Sequence, residues 1–171
     1  TQWSSSAASD VYKRQSYEGP KLLIESINSL EINNSFNFQF LTGPDLTEFV
    51  SKTSLLDPNG TIFIVASKSF TTDETILMLT KAMEWSSNKD NFIAITANSD
   101  EAKKYGINEK NIITFDKEIG GRYSIWSPIA ELPIIEKIQY KSFLEGGKIA
   151  EFAFIEDAKY LNFIKRLSFS D

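Results

Sequence analysis

From residue 67 to residue 74 the chain reads Ser-Lys-Ser-Phe-Thr-Thr-Asp-Glu, which crowds four hydroxyls and one ammonium ahead of two carboxylates. The stretch joins an apolar β-branched run, Thr61 to Ala66, to a segment with helical periodicity that extends to about Trp85. Its hydroxyls therefore meet the unpaired N–H groups that begin a helix. Backbone N–H groups, hydroxyls and an ammonium held together suit a dianionic phosphate. A capping box, Thr71-x-x-Glu74, with Ser67 and Ser69 as ordinary loop hydroxyls, accounts for the same residue types. A second loop, Gly120-Gly121-Arg122-Tyr123-Ser124, pairs glycines that admit close approach of a ligand to the backbone with the planar donors of an arginine. Its simpler account is a glycine turn with a solvated Arg122 and Ser124 as a helix cap.

What the chain lacks narrows the chemistry further. It has no histidine and no cysteine. The commonest neutral-pH acid/base group is thus missing, as are the commonest metal ligands and any disulfide. Proton transfer would fall to carboxylates, Lys or Tyr, and neither a metal nor a cofactor is expected. A net charge of -5 opposes nucleic acid, whose backbone requires clustered Lys and Arg. No run approaches the roughly 20 apolar residues of a membrane span. A cytoplasmic protein is the expectation, with neither nucleic acid nor membrane as partner. Its 13% aromatic content supports a packed core rather than disorder, and 171 residues suffice for one domain.

The elements that would hold these loops alternate between helical and strand patterns. Pro20 is expected to open a helix carrying Leu22, Leu23, Ile27 and Leu30, since proline at a first-turn position loses no bond. Ser35 to Leu41 alternates as a strand with Phe36, Phe38 and Phe40 on one face. Asp45 caps a short helix bearing Leu46, Phe49 and Val50. After the turn Asp57-Pro58-Asn59-Gly60, Thr61 to Ala66 has the unbroken apolar character of a strand buried on both faces. Phe92 to Ala97 and Ile112 to Phe115 are further strands, with a short helix from Ser99 to Tyr105 between them. Ser124 to Ile138 reads as a helix interrupted at Pro133, followed by helices from Phe143 to Phe154 and from Asp157 to Leu167. The class is α/β, a parallel sheet flanked by helices on both faces. Thr1 to Gln15, rich in Ser and Ala and without periodicity, is expected to be a non-native or disordered leader, which leaves 16–171 as the folded domain.

Taken together, the two loops resemble the glucose-6-phosphate isomerase family. Its Ser-Lys-Thr-Phe-Thr-Thr-x-Glu-Thr loop matches Ser67 to Thr75, and its Gly-Gly-Arg-Tyr-Ser-x-Trp-Ser loop matches Gly120 to Ser127. The resemblance implies a partial SIS sugar-isomerase domain, incomplete at its N-terminal strand. It further implies interconversion of glucose 6-phosphate and fructose 6-phosphate through an enediolate, in a protein that is a homodimer when intact. By the same resemblance Ser67, Ser69 and Thr72 hold phosphate with Lys68 adding charge. Ser16, in Ser-Tyr-Glu-Gly-Pro, is a further substrate contact, and Gly121 lets substrate close on the backbone. Arg122 stabilises the enediolate oxygen, and Glu74 orients a ring-opening histidine. Ser69 stands for the usual Thr, and Lys117 stands where the family has an acid. The family's enolising Glu, its histidine and its late lysine are not in this sequence, so the chain is expected to be an inactive fragment. The alternative is a non-catalytic SIS-domain sensor of sugar phosphates.

Overall fold

The computed structural model describes the backbone of residues 6–12, 14–28, 36–134 and 139–156, and the side chains of 16–27, 38–121, 123–132 and 139–155. In chain order the elements are β1 (Ser6–Tyr12), α1 (Arg14–Asn28), β2 (Phe36–Leu41), α2 (Leu46–Thr53), β3 (Thr61–Ala66), α3 (Asp73–Trp85), β4 (Phe92–Thr96), α4 (Ser99–Lys104), β5 (Ile112–Thr114), α5 (Pro128–Ile134) and α6 (Tyr140–Glu156). Short 3-10 turns at Lys89–Asn91, Glu109–Asn111 and Gly121–Trp126 link them. The five strands among the described residues form one sheet in the order β2-β1-β3-β4-β5, every pairing parallel. Residues 1–137 and 138–171 are two compact units. The second is described by α6, whose first turn is closed by Ser142 and Phe143 N–H groups donating to the Gln139 carbonyl.

The apolar run of β3 is explained by its place. It pairs with β1 on one side and β4 on the other, and its side chains alternate between two cores. Phe63 and Val65 join Phe49, Met78, Leu79, Phe92 and Ala94 beneath α2, α3 and α4. Ile64 and Ala66 join Ile95 and Ile129 on the opposite face, where Tyr17, Phe38, Phe40 and Leu132 also pack. Phe63, wholly buried, stacks on Phe92 at 5.2 Å and meets Trp85 edge-on at 5.8 Å. Burial of such a side chain contributes about 1.5–3 kcal/mol, so the strand carrying the first loop is anchored from both faces. Asp45 caps α2 as expected, accepting from the N–H groups of Thr47 and Glu48, and those bonds hold its carboxyl below the usual range.

Three boundaries differ from the sequence expectation. Ser6–Tyr12, expected within a disordered leader, is strand β1, inserted between β2 and β3 with Ala7 opposite both Asn37 and Thr61. Backbone pairing to two neighbours requires no apolar alternation, so the segment carries no pattern that marks it as a strand. It occupies the place where the sequence left the sheet incomplete.

Helix α1 begins at Arg14, not at Pro20, which lies inside it. Pro20 has no N–H to donate to the Ser16 carbonyl four residues earlier. Ser124 supplies the donor instead, its hydroxyl lying 3.0 Å from that oxygen. Close packing sustains the junction, since a Cβ added at Gly19 would stand 3.1 Å from the Ile125 Cβ.

Ser124 is therefore not a helix cap. The segment expected to be helical from Ser124 turns as a 3-10 helix to Trp126, and α5 starts at Pro128. Ser127 begins that helix, its hydroxyl accepting from the Ile129 N–H, with proline at the first helical position. The backbone stays helical through Pro133 to Ile134, while the helix expected at Asp157 to Leu167 lies outside the described residues.

Replacement of Ser124 by alanine is expected to lower stability by about 1–3 kcal/mol, because it strips the donor from a carbonyl that proline leaves open. Urea unfolding measures it. A loss under about 0.5 kcal/mol would show that the Ser16 carbonyl finds another donor.

Candidate functional site

Beyond the carboxyl ends of β3, β4 and β5 lies a cavity of about 480 Å³ lined by Ser16, Ser67, Lys68, Ser69, Thr72, Ala97, Asn98, Lys117 and Gly121. The carboxyl end of a parallel sheet is where α/β proteins hold their ligands. All six residues expected to bind substrate are in this lining. Glu74 is not: it is exposed on the first turn of α3. Arg122 follows Gly121 in the 3-10 turn, and its side chain lies outside the described ones.

The loop after β3 is shaped from within. The Ser67 N–H donates to the Ile95 carbonyl at 3.0 Å, which holds the loop to β4 as the strand ends. The Ser67 hydroxyl then accepts from the Phe70 N–H at 3.2 Å. Phe70 turns the chain with a positive φ of 56°, and its ring is wholly buried in the core near Tyr105. An apolar side chain amid hydroxyls thus pins the loop from below. Lys68 and Ser69 are left exposed above it.

A second loop clamps the first. Buried Thr96 donates its hydroxyl to the Lys68 carbonyl and accepts the Asn98 N–H at 3.0 Å. The Ala97 N–H also donates to the Lys68 carbonyl, and the Asn98 amide to the Ser69 carbonyl. Sequence reasoning missed Asn98, Ala97 and Thr96. The signal was available, since β4 ends at Thr96 and runs on into Ala-Asn-Ser at the same edge of the sheet as Ser67.

The capping box is absent. The cap position of α3 is Thr72, not Thr71, and the Thr72 hydroxyl makes no capping bond. The Thr71 hydroxyl donates to that of Ser69 at 2.9 Å. The first-turn N–H groups of α3 therefore have no side-chain acceptor, and the Thr72 hydroxyl is free beside the cavity. Such an end stabilises an anion through both its N–H groups and the helix dipole.

Charge points the same way. Lys21, Lys52, Lys81, Lys103, Lys104 and Lys110 each pair with a carboxylate. Lys68 and Lys117, the lysines of the described lining, have no such partner among the described residues, as Lys89, Lys141 and Lys148 elsewhere on the surface have none, and no carboxylate is among the described lining residues. In a chain of net charge -5, that separation leaves a local positive pocket for an anionic ligand.

A family model for phosphoglucose isomerase matches residues 14–166. The chain belongs to the phosphoglucose isomerase family. The glucose-6-phosphate isomerase of Baumannia cicadellinicola is 34% identical over 149 residues, which cover 81% of this chain and 26% of that protein. The glucose-6-phosphate isomerase of Zymomonas mobilis is 33% identical over 162 residues, covering 90% of this chain and 31% of that protein. This family member thus spans about a quarter to a third of the length of these relatives. Among solved structures, a hypothetical protein from Thermus thermophilus superposes with a TM-score of 0.77 at 21% identity, over 92% of this chain and 39% of that one. A glucose-6-phosphate isomerase from Chlamydia trachomatis superposes with a TM-score of 0.70 at 20% identity, over 82% of this chain and 28% of that one. These likenesses bear on the fold alone, and they agree with a parallel α/β sheet flanked by helices. Among the described residues no helix is long and apolar enough to cross a membrane.

Proposed function

We propose that this chain supplies the phosphate-holding part of a glucose-6-phosphate isomerase, the enzyme that interconverts glucose 6-phosphate and fructose 6-phosphate. The observation that carries the reading is the free cap of α3. The unengaged Thr72 hydroxyl and the first-turn N–H groups stand beside a cavity whose described lining sets the unpaired Lys68 next to them and includes no carboxylate. Ser67, Ser69 and Thr72 contact the phosphate, Lys68 adds charge, and Ser16 and Gly121, in the same lining, complete the substrate contacts. Arg122, next in the chain after Gly121, stabilises the oxygen that becomes negative in the enediolate, as a preorganised donor does best where charge develops. Glu74 lies off the lining and orients a ring-opening group that this chain does not contain. The setting is the cytoplasm, the intact protein is a homodimer, and the chain by itself does not complete the isomerisation.

Calorimetry on the 171-residue chain with glucose 6-phosphate and with glucose tests the phosphate assignment. Thr72→Ala is expected to weaken the phosphate ester about 10- to 150-fold, the equivalent of a charge-assisted hydrogen bond worth about 1.5–3 kcal/mol. Glucose binding should not change. Equal losses for the two ligands would place Thr72 at the sugar and refute the assignment.

A further inference from the structure

Lys117 is the cavity residue for which the phosphate cradle has no use. The cradle surrounds the end of β3, where Ser67, Lys68, Ser69 and Thr72 follow one another. Lys117 stands on the loop that leaves β5, two strands away in the order β3-β4-β5. Neighbouring strands lie about 4.8 Å apart, so these loops leave the sheet roughly 10 Å from each other. Asn98, on the loop after β4, lines the cavity between them.

The Lys117 loop is itself a built turn. The Asp116 carboxylate accepts the Glu118 N–H at 2.9 Å, and the Ile119 N–H donates to the Asp116 carbonyl at 3.1 Å. Asp116 and Glu118 are exposed and neither lines the cavity, whereas Lys117 does, with no carboxylate paired to it among the described residues. A cavity of about 480 Å³ is within the usual range for sites that enclose a small ligand. Its two described lysines come from loops two strands apart, and three of the four hydroxyl residues in the described lining, Ser67, Ser69 and Thr72, lie on the Lys68 loop.

We propose that Lys117 binds a second anionic group of the ligand, so that the cavity selects sugar phosphates carrying two anionic groups over those carrying one. This rests on the phosphate reading of the cradle and deepens it: the first phosphate lies at Lys68 and Thr72, and the second group lies toward Lys117 and Asn98. Lys117 determines specificity by charge at a distance from the cradle, and its contribution is screened by salt because the side chain is exposed.

Fructose 6-phosphate and fructose 1,6-bisphosphate, which share one sugar and differ in the number of phosphates, test this by calorimetry on the full chain at low ionic strength. The bisphosphate is expected to bind about 5-fold more tightly, the most that one exposed ion pair supplies. Lys117→Gln should abolish that preference and leave fructose 6-phosphate unchanged. Lys68→Gln should weaken both ligands together. Raising the salt to about 0.5 M should shrink the preference of the unaltered chain.

Equal weakening of both ligands by Lys117→Gln would place the two lysines on one phosphate and overturn the assignment. A preference that survives Lys117→Gln would also overturn it. Failure of either ligand to bind the unaltered chain would sink the phosphate reading itself, and the assignment with it. Circular dichroism of Lys117→Gln should match the unaltered chain, since an exposed lysine without an ion pair contributes little to the fold.

Discussion

Phe70→Ala is expected to destabilise the protein by about 3–5 kcal/mol, and Phe70→Gly to do no more damage than that. The first figure follows from removing a wholly buried aromatic ring from the core it shares with Phe63, Val65 and Leu79. The second follows from the backbone. Phe70 has a φ of 56°, where an L side chain costs about 1–2 kcal/mol because its Cβ crowds the following carbonyl. Alanine retains that cost and glycine removes it. Glycine adds about 0.5–1 kcal/mol of unfolded-chain entropy in return, so the two variants should be equal, or glycine better by up to about 1.5 kcal/mol.

In a helix the order would be the reverse, which makes the comparison diagnostic. Urea unfolding of the two variants, with Phe70→Leu as a milder control that retains an apolar side chain, gives the answer. An alanine variant more stable than the glycine one by about 1 kcal/mol would show that residue 70 is not held in the left-handed region. A loss below about 1 kcal/mol in both would show that the ring does not anchor the loop. The effect also bears on function, because the Phe70 N–H is bound by the Ser67 hydroxyl. Loosening this turn should weaken sugar phosphates even in a variant that folds.

The parts of this architecture that were legible in the sequence are those in which burial leaves a mark. Thr61 to Ala66 is apolar at both parities because both its faces are covered, and Phe38 and Phe40 alternate because they pack on one side only. The cradle residues stood out by type, since hydroxyls and an ammonium between a strand and a helix have few uses. Backbone-determined features left no such mark. Ser6–Tyr12 pairs with two strands without an apolar pattern of its own, and proline signals misled in both directions. Pro20 looked like a helix start but sits inside α1 because Ser124 replaces its missing donor. Pro128 does mark a start, and the sequence reading passed over it in favour of Ser124.

At the cradle, a capping box at Thr71 and a free cap at Thr72 differ by one residue. That one residue decides whether the Thr72 hydroxyl serves the helix or a ligand. The contributions of Asn98 and Lys117 depended on which loops the strand order β3-β4-β5 brings together, and no local pattern encodes that order.

The 171-residue chain is expected to bind sugar phosphates yet show no isomerase turnover from about pH 5 to 9. Moving a proton between adjacent carbons requires a base at the reacting edge, and opening the sugar ring requires a proton donor and acceptor, each contributing roughly 10²- to 10⁴-fold. The sequence contains no histidine. Among the described residues the cavity lining offers no carboxylate, and its polar side chains are hydroxyls, an amide and two lysines whose ammonium form has no lone pair with which to accept a proton. Glu74 is exposed on α3 and outside the lining. Arg122 would stabilise an oxyanion that no described residue of the lining can generate. Binding and chemistry are therefore separable in this chain, and the two assays should disagree. Calorimetry should report glucose 6-phosphate binding that Thr72→Ala weakens, while a coupled dehydrogenase assay for fructose 6-phosphate to glucose 6-phosphate stays at background. The decisive control is a preparation from a host lacking its own isomerase, run beside Arg122→Ala. Turnover proportional to the amount of chain and lost in Arg122→Ala would show that a base is present and that the carboxylates have been misplaced.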